Sequence, residues 1–197
     1  MRTHRGLRVT CPALTLVAFR AYAAVVDPDM TSGMAADTPE LTTPSVVRRS
    51  VEVAAEADRV WALVSDLPGM GAFSPENRGG RWVQGDGPEV GSVFVGSNGR
   101  GARRWSTRCT VIRSEPGRAF AFDVASVGLP VARWSYEMEP VDAGCRLSET
   151  WEDRRGGLMR RLGVLVSGVS DRAAFTATSI EHTLAQVKAA AEVHRQL

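Results

Sequence analysis

The sequence is short of the residues that build disulfide frameworks and metal centres. Its 197 residues include only three cysteines and three histidines, and no two cysteines form a CxxC pair. The wide spacing of Cys11, Cys109 and Cys145 excludes a disulfide scaffold, and a site built from histidine and cysteine is poorly supplied. We therefore predict no metal, and we interpret Cys109 and Cys145 as small buried hydrophobic residues.

Lysine is almost absent, because Lys188 is the only lysine among 24 basic residues. Arginine is thus the general basic residue of this chain, and a cluster such as Arg154–Arg161 is a weak signal for phosphate binding. The formal net charge is only +2, which gives no general electrostatic footprint for nucleic acid. We predict no nucleic-acid partner.

No apolar run is long enough to span a membrane. Leu14–Phe19 is short, follows Pro12 and is stopped by Arg20, which makes a poor signal peptide and no membrane span. We therefore predict a cytoplasmic protein without stable membrane insertion. A weak export signal is the alternative.

Residues 1–44 are predicted to be an N-terminal extension outside the fold. They lead into a stretch rich in Thr, Pro and Asp, which is typical of a loose segment. Alternatively, translation begins at Met30 or Met34 instead of Met1. A hydrophobic content of 44% with 23% charged residues is that of a globular chain, and we assign residues 45–194 to one domain.

The domain begins with a strand and two short helices. Val47, Val51 and Val53 alternate with polar residues, which predicts a half-buried strand. Helical spacing follows over residues 57–67, and a second short turn over residues 70–73. Six short alternating runs then predict antiparallel strands, because their connections are too short for parallel returns. These strands are predicted at residues 81–84, 92–96, 104–113, 119–127, 132–139 and 146–153.

A long helix closes the domain. An uninterrupted apolar stripe predicts it, and the stripe consists of Ala173, Ala177, Ile180, Leu184, Val187 and Ala191. The fold class is α+β, with a curved antiparallel sheet of six to seven strands. One helix is narrower than such a sheet, so we expect a cavity between them that suits an apolar ligand.

Alternation along the strands predicts which side chains face that cavity. Four inward rows follow from it: Trp105, Thr107, Cys109 and Val111; Phe120, Phe122 and Val124; Trp134, Tyr136 and Met138; and Leu147, Glu149 and Trp151. Ordinary core packing is the alternative for each aromatic residue.

The helix–turn segment carries a family resemblance. Residues 60–76 read VWALVSDLPGMGAFSPE, which resembles the opening of the SRPBCC superfamily (START-like, Bet v 1-like), and within it the actinobacterial polyketide cyclase/dehydrase branch. Phe73 departs from the family pattern, which often has Trp there. Further segments agree in order and spacing: Arg81-Trp82, Gly91–Phe94, Asn98-Gly99, Arg104-Trp105, Cys109, Ser148–Trp151 and Thr183–Lys188.

The resemblance covers about residues 46–193 and implies a helix-grip fold around a hydrophobic cavity. Members of the family bind or carry lipids, sterols, polyketides and other apolar molecules, and some are cyclases or aromatases. An apolar small-molecule ligand is therefore expected, while the oligomeric state is open. The predicted ligand-binding residues are Met70, Phe73, Trp82, Phe94, Trp105, Phe122, Trp134, Tyr136, Glu149 and Trp151.

The sequence contains few residues that are candidates for catalysis. The sequence has no GxSxG elbow, and the glycine-rich Gly96–Gly101 lacks the residues of a phosphate loop and is interpreted as a hairpin turn. We therefore predict no cofactor. Glu149 shares a face with apolar residues, and desolvation there would raise its pKa and suit it to acid–base work. Tyr136 is the second catalytic candidate, through its hydroxyl.

Each polar candidate also has a purely structural interpretation. Glu149 could pair with Arg104 or Arg133, or lie at a wet sheet edge. Asp66 and Glu76 are interpreted as capping and turn residues.

Three functional hypotheses follow. The first is a carrier of a lipid, polyketide or isoprenoid-like molecule. The second is a cyclase, dehydratase or aromatase that uses Glu149 and Tyr136. The third is an interaction module whose interior is filled by its own side chains, with the long helix and Arg154–Arg161 facing a partner.

Overall fold

The computed structural model describes residues 45–193. The predicted extension at residues 1–44, its alternative starts and the last predicted domain residue, 194, lie outside this range. Within it, no helix has the length and apolar character needed to cross a membrane.

Seven strands form one antiparallel sheet, at the upper end of the predicted number. Its spatial order is β1-β7-β6-β5-β4-β3-β2, so the first strand pairs with the last and every other neighbour is joined by a short connection. The strands are β1 (Val46–Val53), β2 (Asn77–Gln84), β3 (Val93–Arg100), β4 (Arg103–Glu115), β5 (Ala119–Ser126), β6 (Leu129–Val141) and β7 (Gly144–Asp153).

The two short helical segments after β1 and the long last helix lie where the sequence predicts them. Helix α1 (Ala57–Ser65) and a 3₁₀ turn (Gly69–Ala72) connect β1 to β2. Helix α2 (Gly157–Ser167) and the long helix α3 (Arg172–Glu192) follow β7. The Asp171 side chain starts α3, because its Oδ1 accepts a hydrogen bond of 2.9 Å from the backbone N–H of Ala174.

Polar contacts hold the C-terminal half of α3 against β1. Lys188 Nζ donates to the carbonyl oxygen of Glu52 at 2.6 Å, and Glu192 Oε1 accepts from the backbone N–H of Ala54 at 2.7 Å. Ile180 and Val187 are fully buried on the same side of the helix. The helix is therefore anchored over one edge of the sheet, and its N-terminal half extends across the middle of the concave face.

The apolar stripe of α3 differs from the predicted one at its N-terminal end. Ala173 and Ala177 are only partly buried, whereas Thr176 and Thr183 are buried. Thr176 and Thr183 are among the α3 residues that line the cavity, so hydroxyl-bearing residues take part of the stripe that the apolar pattern assigns to alanine.

The hairpin predicted at Gly96–Gly101 is present, but its turn begins later than predicted. Strand β3 continues to Arg100, which pairs with Arg103, so that the turn consists of Gly101 and Ala102. The polar Asn98 is accommodated inside the strand because its Nδ2 donates to Thr107 Oγ1 on β4 at 3.1 Å. Gly101 takes the left-handed conformation, with φ of 57°, which makes it the turn residue.

Substitutions on the buried side of α3 are predicted to lower the stability of the protein more than substitutions on its exposed side. Ile180→Ala removes a fully buried side chain and is expected to lower the free energy of unfolding by about 2–5 kcal/mol. The control Gln186→Ala, on the exposed side of the same helix, should change it by less than about 0.5 kcal/mol. Denaturant titration of both variants measures this difference, and equal effects would contradict the packing described here.

Candidate ligand-binding site

A cavity of about 380 Å³ lies between the concave face of the sheet and helices α2 and α3. Its volume is within the range of small-molecule pockets. The sheet wall is formed by inward residues of β3 to β7, and the other wall by residues of the two helices. On the helix side the lining residues of α3 have small or polar side chains, such as Thr176, Ser179 and Thr183.

Aromatic side chains form the floor of the cavity. Phe122, Trp134 and Trp151 are directly paired across β5, β6 and β7, so their side chains stand side by side on one face. Trp105 on β4 and Phe94 on β3 extend this apolar surface. The floor is thus suited to flat or flexible apolar molecules.

Glu149 and Tyr136 form a buried polar pair within this apolar wall. They are cross-strand neighbours on β7 and β6, and the Tyr136 hydroxyl donates to Glu149 Oε1 at 2.9 Å. Glu149 is only 2% exposed. The predicted alternatives do not hold: Arg133 is bound to Asp123 at 2.7 Å, and Arg104 donates to backbone carbonyl oxygens.

Burial makes Glu149 an unusually weak acid. Desolvation raises the pKa of its carboxyl group to about 8, and the hydrogen bond from Tyr136 offsets only part of that rise. Burial and the neighbouring carboxyl group likewise raise the pKa of Tyr136 well above its ordinary value. Near neutral pH, Glu149 is therefore mostly a neutral carboxylic acid.

The cysteine on the cavity wall is not an activated nucleophile. Cys109 lies on its wall, but burial raises the pKa of this thiol to about 11, so it remains protonated and unreactive. Cys145 is also buried and free. Within residues 45–193, the one histidine is the exposed His182, and no group of three His, Cys, Asp or Glu residues is placed to hold a metal ion.

A row of polar residues on α3 forms the opposite wall. Arg172, Thr176, Ser179 and Thr183 follow one another at helical spacing and all line the cavity. Arg172 makes a bidentate ion pair with Glu76, with N–O distances of 3.2 and 2.6 Å. Glu76 is therefore an ion-pair residue on the cavity wall and not a turn residue, whereas Asp66 accepts from the backbone N–H of Gly69 as predicted.

The structure brings most of the predicted ligand-binding residues together. Those on the cavity wall are Met70, Phe94, Trp105, Phe122, Trp134, Tyr136, Glu149 and Trp151. Phe73 and Trp82 do not line it. Both pack against the core from outside, and the Trp82 ring lies edge-on to Phe94 with centroids 5.5 Å apart. Trp82 lies on the edge strand β2, which pairs irregularly with β3, with register shifts on both sides of Trp82. Phe73 directly follows the 3₁₀ turn and belongs to no strand.

Sequence reasoning missed the polar row on α3 and the contribution of α2. The signal for the first was present, since positions 172, 176, 179 and 183 are spaced by four, three and four residues. A search for apolar periodicity passes over it because serine, threonine and arginine count as polar. Helix α2 contributes Met159, Leu162 and Val166 to the cavity wall. No sequence pattern indicates how this helix is placed relative to the sheet.

Comparison with known proteins assigns the chain to a family and finds solved structures with a similar fold. A family model described as polyketide cyclase / dehydrase and lipid transport matches residues 45–192. The Polyketide_cyc-like protein Cgl2372 from Corynebacterium glutamicum is 32% identical, with a TM-score of 0.56, over 79% of this chain and 96% of that one. No functionally curated protein matches the chain.

More distant solved structures share the fold alone. The di-domain ARO/CYC protein StfQ from the steffimycin biosynthetic pathway is 14% identical, with a TM-score of 0.62, over 79% of this chain and 53% of that one. Major latex-like protein 151 from Panax ginseng is 10% identical, with a TM-score of 0.58, over 75% of this chain and 97% of that one. The predicted helix-grip fold is thereby confirmed.

The raised pKa of Glu149 predicts a distinctive pH dependence of stability. The native pKa of about 8 lies above the ordinary value of 4.5, so the folded protein holds a proton that the unfolded chain has released. The stabilising contribution is full below about pH 4.5 and is lost as the pH rises through about 8, with a limiting slope of about 1.4 kcal/mol per pH unit. Denaturant titrations between about pH 4.5 and pH 8 should show that the wild type loses stability relative to Glu149→Gln as the pH rises. If the free energies of unfolding of the two proteins change with pH in parallel, the raised pKa of Glu149 is contradicted.

Tyr136→Phe provides the complementary prediction. The hydrogen bond from Tyr136 lowers the pKa of Glu149, so its removal should raise that pKa above the wild-type value. Carbon-13 NMR titration of the Glu149 side chain measures the shift. An unchanged or lower pKa in the variant would show that the two groups do not interact as described.

Proposed function

Since the chain belongs to the polyketide cyclase / dehydrase and lipid transport family, we propose that it binds a hydrophobic small molecule in its internal cavity and acts as a carrier. The ligand class proposed is a lipid, polyketide or isoprenoid-like molecule. The observation that carries the proposal is the cavity of about 380 Å³ with its aromatic floor. The cytoplasmic location remains a prediction.

The character of the cavity wall supports binding over an interaction-module function. A module of that kind requires an interior filled by its own side chains, but here Phe122, Trp134 and Trp151 border open space. Apolar surface left unpacked in this way forgoes dispersion contacts that a ligand can restore. A bound molecule is therefore the simplest partner for this surface.

Blocking the cavity tests the proposal. Thr107 lines the cavity on β4, and Thr107→Trp places a bulky side chain in the space that a ligand needs. We expect affinity for the apolar dye Nile red to fall by about tenfold or more, as measured by fluorescence titration.

The neighbouring position supplies the matched control. Ser106 is exposed on the same strand, so Ser106→Trp adds the same side chain outside the cavity and should leave dye affinity unchanged. Equal affinities of the two variants would place the dye elsewhere on the protein and remove support for the proposal.

A second candidate function is a cofactor-independent cyclase or dehydratase. The observation that favours it is the buried carboxyl group of Glu149, which is neutral near pH 7 and borders the cavity. In an aldol cyclisation, the carboxyl proton would pass to a ligand carbonyl oxygen as the carbon–carbon bond forms. The attacking group would be the enol tautomer of the ligand, and its hydroxyl proton would return to the Glu149 carboxylate, so the reaction is a net isomerisation and needs no further reactant.

This candidate predicts a separation of turnover from binding. Glu149→Gln preserves shape and the contact with Tyr136 but cannot exchange the proton, so turnover of a polyketide-type substrate should fall by about 10²- to 10⁴-fold. Substrate affinity should change little. Preserved turnover in the variant, measured by product formation under single-turnover conditions, would eliminate Glu149 as the acid.

A further inference from the structure

Exposed apolar side chains concentrate in helix α2 and in the turn between β5 and β6. Leu158 and Leu165 on α2 are 66% and 74% exposed, and Val127 in the turn is 88% exposed. A single exposed apolar residue is normal on a protein surface, whereas a group of them marks an interaction surface. We call the group the apolar rim, and it consists of Val127, Leu129, Leu158, Leu162, Leu165 and Val166.

The chain order places the members of the apolar rim at one end of the sheet. Alternate connections of an antiparallel sheet lie at the same end, so the β3–β4 and β5–β6 turns are on the same side of the domain. Strand β7 runs toward that end and is followed by α2, and the Arg154 backbone N–H donates to the Val131 carbonyl oxygen on β6 at 3.1 Å. Val127, Leu162 and Val166 also line the cavity, so its apolar wall continues onto the surface here.

The apolar surface of α2 is wider than the cavity requires. Met159, Leu162 and Val166 line the cavity. Leu158, Leu162 and Leu165 are spaced by four and three residues, so they form a second stripe along one side of the same helix. Leu158 and Leu165 are exposed and do not line the cavity. Neither the core nor a molecule in the cavity therefore accounts for this stripe.

Val127 occupies a turn position that its own chemistry disfavours. Val127 and Gly128 have φ of 46° and 80°, between the paired residues Ser126 and Leu129. Positive φ at both central residues is typical of type I′ hairpin turns, where Asn-Gly is the usual pair and a β-branched residue is strained. Asparagine would suit both the conformation and the exposure better. The stability of the fold therefore does not explain valine at this position.

Helix α2 carries an arginine that is not neutralised. Arg154, Arg155 and Arg160 each lie within ion-pair distance of a carboxylate on β5 or β7, such as Asp153. Arg161 is exposed and has no ion-pair partner within residues 45–193. It directly precedes Leu162 of the apolar rim, so a positive charge borders the exposed stripe.

The turn between β3 and β4 brings further arginines to the same end. Arg100 donates to the carbonyl oxygen of Gly168 at 3.2 Å, which places this turn beside the C-terminal end of α2. Arg103 and Arg104 are exposed and contact no carboxylate among the described residues. Residues 90–114 contain no aspartate or glutamate, so this hairpin carries positive charge alone.

An anionic lipid surface matches this combination of groups. At such a surface, leucine and valine side chains enter the boundary of the acyl region while arginines contact the phosphate groups. The apolar rim has no tyrosine or tryptophan, the residues that usually anchor a protein partner. A second copy of the chain would bring like charges together in a symmetric interface.

We propose that the apolar rim and the neighbouring Arg103, Arg104 and Arg161 dock this protein onto the surface of an anionic lipid bilayer, without crossing it. Because the rim continues the cavity wall, the docked protein holds its cavity next to the lipid. The docking concerns the outer surface of the domain and does not depend on which molecule the cavity binds.

Sedimentation of the full chain with vesicles tests the proposal. One set of vesicles is phosphatidylcholine alone, and the other contains about 30% phosphatidylglycerol. We expect binding to the anionic vesicles, little binding to the neutral ones, and weaker binding as salt is added because salt screens the arginines. Failure to bind the anionic vesicles overturns the proposal.

A substitution in the exposed stripe tests the apolar part of the surface. Leu165→Gln keeps a good helix-forming residue and should weaken vesicle binding by about fivefold or more. The matched control is Val90→Gln, because Val90 is 65% exposed in the β2–β3 connection at the opposite end of the sheet. Equal vesicle binding by the two variants would show that the chain binds through another region and overturn the assignment.

Val127→Asn separates docking from stability. Asparagine suits the turn, so thermal stability should be unchanged or higher, while vesicle binding should fall by about fivefold or more. Wild-type vesicle binding by this variant would remove the β5–β6 turn from the proposed surface.

Arginine substitutions test the electrostatic part. Arg161→Gln should weaken binding to the anionic vesicles by about fivefold. Arg118→Gln is the control, because Arg118 has a side chain that is 79% exposed in the turn between β4 and β5, at the opposite end of the sheet. Equal losses for the two variants would indicate a general charge effect and overturn the proposed orientation.

Two further measurements distinguish this proposal from the others. Nile red affinity, measured without vesicles, should be the same in Leu165→Gln as in the wild type, because Leu165 does not line the cavity. Vesicle binding without dye binding would overturn the proposed carrier function and leave the docking intact. A wild-type chain that forms dimers, loses them on Leu165→Gln and ignores vesicles would assign the rim to a second copy and overturn the docking.

Discussion

The cavity exists because a helix is narrower than the sheet it covers and is held over one edge of it. Lys188 and Glu192 bind the C-terminal half of α3 to the backbone of the β1 region, and Val187 is buried there. Ile180, near the middle of the helix, also belongs to the core. The N-terminal half begins at the Asp171 cap, and its residues Arg172, Thr176 and Ser179 line the cavity. Core and cavity are therefore two regions of one concave surface, distinguished by the position of the helix.

That division explains the chemistry of the site. Tyr136 and Glu149 belong to the sheet wall of the cavity, and the carboxyl group of Glu149 is removed from water. Desolvation then outweighs the hydrogen bond from Tyr136 and keeps the group neutral near pH 7. A neutral acid at this position is a structural group of the wall in a carrier and a proton donor in an enzyme. The same geometry thus accommodates both candidate functions, and proton exchange is what distinguishes them.

Much of this architecture can be predicted from the sequence because it depends on short-range periodicity. Strand alternation places Trp134, Tyr136, Glu149 and Trp151 on the concave face, and short connections require an antiparallel sheet. The hydrogen-bond partner of Glu149 could not be predicted in this way. Whether it is Tyr136 or an arginine depends on the register between neighbouring strands, which short-range periodicity does not give. Which residues face the core and which face the cavity depends on where α3 is anchored, and the sequence does not show that position. The sequence analysis therefore did not predict that Thr176 and Arg172 line the cavity. Trp82 does not line the cavity because the irregular edge strand β2 does not follow simple alternation, and Phe73 follows a 3₁₀ turn, where strand alternation does not apply.

The central claim is that this protein holds an apolar molecule inside its helix-grip fold. Native mass spectrometry of protein purified from its own host tests it most directly, followed by denaturing extraction and identification of whatever is released. The account predicts a bound small molecule, seen as added mass on the native protein and lost on denaturation. Protein that carries no ligand from its host and also fails to take up Nile red would contradict it.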